Sequence, residues 1–198
     1  MMSQFLIYFQ LGLKHILNIY SYDHILFLIA LVIPLSFKDW KRILLLITSF
    51  TLGHTVALLL TLYGIIAVKV TVVELLIPIT ILIVALFHLF TAGKSGKKES
   101  LNLVFFITLF FGIIHGLGFL NYFRNMHHGA SVSKLLAILE SSLGIEAAQL
   151  VVVLVVLILS YIVQTVFRFS KRDWALVMSA FIIGIVLPII LGNEIWLR

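Results

Sequence analysis

Residues 144–167 read GIEAAQLVVVLVVLILSYIVQTVF, a run in which Glu146 is the one charged side chain and Gln149 and Gln164 are the amides. Wound as an α-helix at 1.5 Å per residue, it is about 36 Å long, enough to cross a hydrocarbon core of about 30 Å. Nothing in a small water-soluble fold calls for so long an uninterrupted apolar helix. This stretch is therefore read as a membrane span.

Working outward, comparable runs occupy 21–36, 43–66, 71–91, 101–121 and 174–192. Ahead of them residues 4–20 are apolar but carry Gln10, Lys14 and Asn18 at four-residue spacing, a polar stripe on one helical face. The expected fold is all-α: a polytopic transmembrane bundle of about six spans, preceded by an amphipathic or partly inserted helix. Composition agrees, since a chain that is 62% hydrophobic and 11% charged has too few polar groups to cover a water-soluble globule. The spans use up nearly all of the 198 residues, so one integral membrane domain over 1–198 is expected.

The 14 Lys and Arg exceed the 8 Asp and Glu, but they sit in short clusters between apolar runs and read as topology signals, with no nucleic-acid partner implied. Lys38/Lys41/Arg42, Lys94/Lys97/Lys98 and Arg168/Lys171/Arg172 occupy alternate connections. The positive-inside rule makes those connections cytoplasmic and puts both termini outside. In a bacterium with two membranes this places the chain in the inner one. Met1–Gln10 has no basic leader, and no removable signal peptide is expected. The absence of cysteine excludes disulfides, thiolate ligands and a Cys nucleophile, leaving His and carboxylates as ligands or acid–base groups.

An ionisable group inside a span costs about 2.5–3.5 kcal/mol even on the lenient insertion scale. This chain carries many: His15, Asp23, His24, His54, Glu74, His88, His115 and Glu146, with Gln149 beside the last. Spans one, three and five enter from outside, so Asp23, His24, Glu74, Glu146 and Gln149 are expected near the outer face. His54 and His115, in spans running the other way, fall about 16 and 21 Å from the cytoplasmic end. The groups thus share a depth and face outward, while His88 lies apart near the cytoplasmic end.

Imidazole nitrogen with carboxylate oxygen suits a borderline divalent ion such as Ni2+, Zn2+ or Co2+, and neutral His also relays protons. Asp23 and His24 lie about 100° apart on a helix, so one is free to ligate while the other orients a partner. Thr51 and Thr48, one and two turns before His54, offer hydroxyls to its ring. Each residue also has a plainer use: an interhelical hydrogen bond for a lone His, helix-start carboxylates for Asp23, Glu74 and Glu146, an exposed loop pair for His127 and His128. Gly112 and Gly116 are spaced for close helix packing, and the many Phe and Leu residues are expected to face lipid.

The segments GLKHIL (12–17), YDHILFL (22–28), FTLGHT (50–55), VE (73–74), FGIIHGLGF (111–119) and GIEAAQ (144–149) resemble, in order, the motifs of the HupE/UreJ hydrogenase and urease accessory membrane proteins. The resemblance runs from the first helix through the fifth span. It implies a small permease for Ni2+ or a related ion serving nickel-enzyme maturation proteins, with His15, Asp23, His24, His54, Glu74, His115, Glu146 and Gln149 as ligands and no catalytic residue. The chain departs from the pattern at Ile16, where the nickel-permease branch has proline, and in the longer spacing from His15 to Asp23.

Two further functions compete with import. Three His with Asp23 or Glu146 could instead hold Zn2+ with one open position, the arrangement of a membrane-embedded hydrolase acting on a lipid-like ester or amide. A helical scaffold using His only for packing is the third, and the number of buried ionisable groups speaks against it.

Overall fold

The computed structural model describes residues 2–18, 22–93, 101–127 and 133–197. They form seven α-helices: α1 (Met2–Leu17), α2 (Asp23–Val32), α3 (Trp40–Leu62), α4 (Val70–Thr91), α5 (Leu101–His127), α6 (Lys134–Thr165) and α7 (Lys171–Leu191). Short 3-10 turns cover Phe37–Asp39 and Glu194–Leu197, and no strand occurs among the described residues. Phe37–Leu62, α4, α6 and α7 are each long and apolar enough to cross a bilayer, whereas α2 and Leu103–Phe119 are apolar but shorter. The molecule is an integral membrane helix bundle.

Helix starts follow local chemistry. Ser36 and Asp39 form a capping box ahead of α3, Ser170 and Asp173 one that opens α7, and the Ser133 hydroxyl accepts the Leu136 N–H at the head of α6. Each satisfies backbone donors that a helix N-terminus leaves open. Pro78 inside α4 has no N–H to offer the carbonyl one turn back, at Glu74.

The shortest span, α2, is the central one. Its ten residues make about 15 Å of helix, half a bilayer core. It packs against α4, α6 and α7, and Phe27, Leu28 and Ala30 are fully buried. A helix apolar on every side is stable only when surrounded in this way. At its N-terminus His24 is buried in the bundle, while Asp23 is half-buried and the N-cap Tyr22 is exposed.

Glycines set the two closest seams. Gly112 and Gly116 of α5 lie on the backbone carbonyls of Phe50 and His54, and Gly53 of α3 lies reciprocally on Leu109. A second pair, Gly12 of α1 and Gly144 of α6, lies against the Ser141 and Phe9 carbonyls. With no driving force between apolar helices in lipid, such close backbone approach is what holds them together. On α1 the stripe Gln10/Lys14/Asn18 is exposed, while Tyr8, Leu11 and Ile16 are buried.

Candidate metal centre

Four histidines from four helices meet in the interior. One ring nitrogen from each of His15 (end of α1), His24 (start of α2) and His54 (mid α3) lies within 4.8 Å of the other two. His115 of α5 adjoins them, its ring centroid 5.3 Å from that of His24. His24, His54 and His115 are 3%, 0% and 0% exposed.

Hydrogen bonds fix which nitrogens are offered. His24 Nδ1 is 3.2 Å from Asp23 Oδ1, and His115 Nδ1 is 2.8 Å from the Phe111 carbonyl. A carboxylate and a carbonyl only accept, so both rings carry their proton on Nδ1 and present a bare lone pair at Nε2. Those two Nε2 atoms, and both nitrogens of His54, are buried with no hydrogen-bond partner. Each costs about 1–3 kcal/mol in that state. A cation would repay that cost at the lone pairs, one from each ring, and leave only the N–H of His54 unpaired.

The spacing suits the purpose. Three imidazole nitrogens at about 2.1 Å from a tetrahedral ion stand about 3.4 Å apart, so from separations within 4.8 Å the rings need to close by at most about 1.4 Å. The donor set fits a borderline divalent ion.

Aromatic rings wall the cluster. Phe119 lies 4.0 Å from His15 and 5.4 Å from His54, and Phe27 and Phe50, stacked at 4.8 Å, lie 4.8 and 5.1 Å from His115. These phenylalanines are fully buried, contrary to the expectation that the chain's Phe residues face lipid. The signal was present in the sequence: Phe50–His54, Phe111–His115 and His115–Phe119 are each four residues apart, on one helix face.

On its other side the cluster opens into a cavity of about 260 Å³ lined by His15, Asp23, His24 and His115, with Glu74 of α4 also on its wall. Glu74 is exposed and Asp23 half-buried. A wider cavity of about 450 Å³ shares Asp23 and Glu74 and adds Glu194, so the approach is lined by carboxylates.

Glu146 and Gln149 stand elsewhere. Reading the fifth span from Gly144 set them at its outer mouth, but α6 begins at Lys134, so Glu146 is about 18 Å along the helix. Lys134 and Glu140 broke the apolar run in the sequence, yet a capped helix runs through both. Glu146 Oε1 accepts the Thr48 hydroxyl at 2.7 Å and Gln149 Oε1 accepts that of Thr51 at 3.0 Å, while Ser142 meets Thr55 at 2.7 Å. Thr48 and Thr51 thus serve α6 and not the His54 ring. They form a polar seam between α3 and α6, running from beside His54 toward the Trp40 end of α3.

His88 is apart from the cluster, beside a separate cavity that also holds Arg42. His128, and the His127 side chain with it, lie outside the described residues.

A family model described as HupE / UreJ protein matches residues 1–192. No curated protein and no solved structure matches the chain.

Proposed function

This chain belongs to the HupE/UreJ family, and from that premise we propose that it is a permease for a divalent transition-metal ion, Ni2+ first, with Zn2+ and Co2+ as the alternatives. The observation that carries the reading is the set of buried imidazole nitrogens from His15, His24 and His54 gathered within 4.8 Å, with Asp23 fixing the tautomer of His24. The cation is cargo: it enters past Glu74 and Asp23, exchanges water for imidazole at the histidines, and leaves by way of Gln149 and Glu146. His115 Nε2 supplies a fourth nitrogen. Carboxylates at the entrance raise the local concentration of a hydrated cation, and the neutral imidazoles inside select for a borderline one.

The basic clusters support an entrance facing the extracytoplasmic side, which in a bacterium with two membranes means the inner one, and the family membership supports nickel-enzyme maturation proteins as the recipients of the ion. Uptake of Ni2+, Co2+ and Zn2+ into proteoliposomes holding a metal-sensitive fluorophore tests the proposal. Uptake that saturates with one of these ions and is lost in His54→Ala supports it; influx no greater than in empty liposomes removes it.

A membrane-embedded Zn2+ hydrolase is the second reading, favoured by the one-sided opening of the histidine cluster into its cavity. It predicts Zn2+-dependent turnover of lipid-like esters or amides by the purified protein, with no metal flux.

A further inference from the structure

The turn that follows α7 forms part of the entrance. Glu194–Leu197 winds as a 3-10 helix that packs against α4. It is tied to the end of α7: the Trp196 indole N–H donates to the Ile190 carbonyl at 2.6 Å, and the Ile195 N–H donates to Asn193 Oδ1 at 3.0 Å. Glu194, which lies past the stretch matched by the family model, is thereby held on the wall of the cavity of about 450 Å³, together with Asp23 of α2 and Glu74 of α4.

That wall carries oxygen donors. Asp23, Glu74 and Glu194 supply carboxylates and Asn193 an amide, and no histidine or basic residue stands among the described residues that line it. Pro78, on the same wall, lacks the N–H that would engage the Glu74 carbonyl one turn back, so α4 leaves a backbone oxygen without its helical donor beside the cavity. Within a membrane such a group is tolerated where water or a polar guest meets it. Neither Glu74 nor Glu194 has an ion-pair partner among the described residues.

Volume and chemistry fit a cation that still carries its water. A shell of about six waters at about 30 Å³ each takes about 180 Å³, well within the space available. Carboxylates hold such an ion through its waters with little preference among divalent ions, whereas imidazole has to displace water and discriminates. The cavity shares Asp23 and Glu74 with the smaller one that opens on His24 and His115, whose Nε2 atoms are buried without a hydrogen-bond partner.

We propose that Glu194 is a capture residue of the entrance: with Asp23 and Glu74 it draws the hydrated divalent cation into the outer cavity, and so sets the rate at which the histidines are loaded. The inference rests on the entrance assigned in the permease reading, and Glu194 takes no place in the histidine centre itself.

The test is stopped-flow mixing of the full chain in detergent with Co2+ alone, read by the absorbance that imidazole ligation lends to Co2+. At low salt Glu194→Gln should load about threefold more slowly than the wild type, with the dissociation rate and the final spectrum unchanged. Glu194→Asp should keep most of the rate. The deficit should vanish at about 1 M salt, where the Debye length is about 3 Å, whereas a merely structural loss would persist. Glu140→Gln, which removes a carboxylate near the start of α6 and off the cavity wall, should load at the wild-type rate. Wild-type loading in Glu194→Gln, a deficit that survives in salt, or an equal deficit in Glu140→Gln would each overturn the proposal. A wild type that binds no Co2+ would remove the histidine centre along with it, whereas absence of flux into proteoliposomes with the rate deficit intact would remove the permease reading alone.

Discussion

Asp23 Oδ1 stands 3.2 Å from Nδ1 of its own chain neighbour His24, in the first turn of α2, where the cavity meets the histidine cluster. The carboxylate holds the ring in the tautomer that points Nε2 at His15 and His54. Truncation by Asp23→Ala is expected to lower metal affinity about 10–100-fold, the usual cost of losing such a partner. Asp23→Asn keeps an acceptor and should lose less. Competition against a chromophoric chelator measures both; unchanged affinity in Asp23→Ala would show that the pair has no part in binding.

His24→Ala and His54→Ala each remove a nitrogen from a three-nitrogen centre. Elemental mass spectrometry after a weak chelator wash should find metal in the wild type and in His88→Ala, and little in either of the two variants. Metal lost from His88→Ala to the same extent would relocate the centre.

Protons and metal compete for the same lone pairs, so the sign of the pH dependence is fixed: acidification releases the ion. With three imidazoles to protonate, the logarithm of the affinity should rise with pH at a slope approaching about three at low pH and flatten once the rings are neutral. Titration of bound metal against pH reads the slope directly. A flat profile through the acidic range would mean that imidazole is not the ligand.

Glycine substitutions separate packing from chemistry. A Cβ at Gly12 would meet the Ser141 carbonyl oxygen at 1.9 Å and one at Gly116 the His54 carbonyl at 2.5 Å, while nothing lies within 4 Å at Gly184. Gly12→Ala and Gly116→Ala should destabilise by about 1–3 kcal/mol, and Gly184→Ala should be neutral or stabilise by about 0.5–1 kcal/mol. Thermal unfolding in one detergent compares the three. Equal stability of all three would refute the seam geometry.

Glu146→Gln keeps the hydrogen bond from Thr48 but removes the charge. Metal content should stay at the wild-type level while the rate of uptake falls severalfold, because on the proposed route the ion passes Glu146 only after leaving the histidines. A parallel loss of bound metal would instead make Glu146 a ligand of the centre.

Much of this protein was legible in the one-dimensional chain. An apolar run such as 144–167 has to be a helix in lipid, since every backbone N–H and C=O must find its partner within the segment. The same solvent makes buried ionisable groups expensive, so His54 and His115 stood out as interior residues before any fold was known. Small residues such as Gly112 and Gly116 marked a close seam by spacing alone, because the 3.6-residue turn fixes which side chains share a face.

What the sequence could not supply was where one helix ends relative to another. Positions along each helix were counted from the start of the apolar run, and for Glu146 that start was ten residues late, because its helix begins at Lys134 and runs through Glu140. Only the packing of α3 against α6 put Glu146 beside Thr48, on the far side of the cluster from Glu74. The sequence had already set His88 apart from the clustered histidines, but only the tertiary fold put Arg42 beside the same cavity. Periodicity specifies the face a residue occupies; the axial register between helices is fixed by glycine seams and caps acting across the whole chain, and that register decided which of the polar residues could hold one ion together.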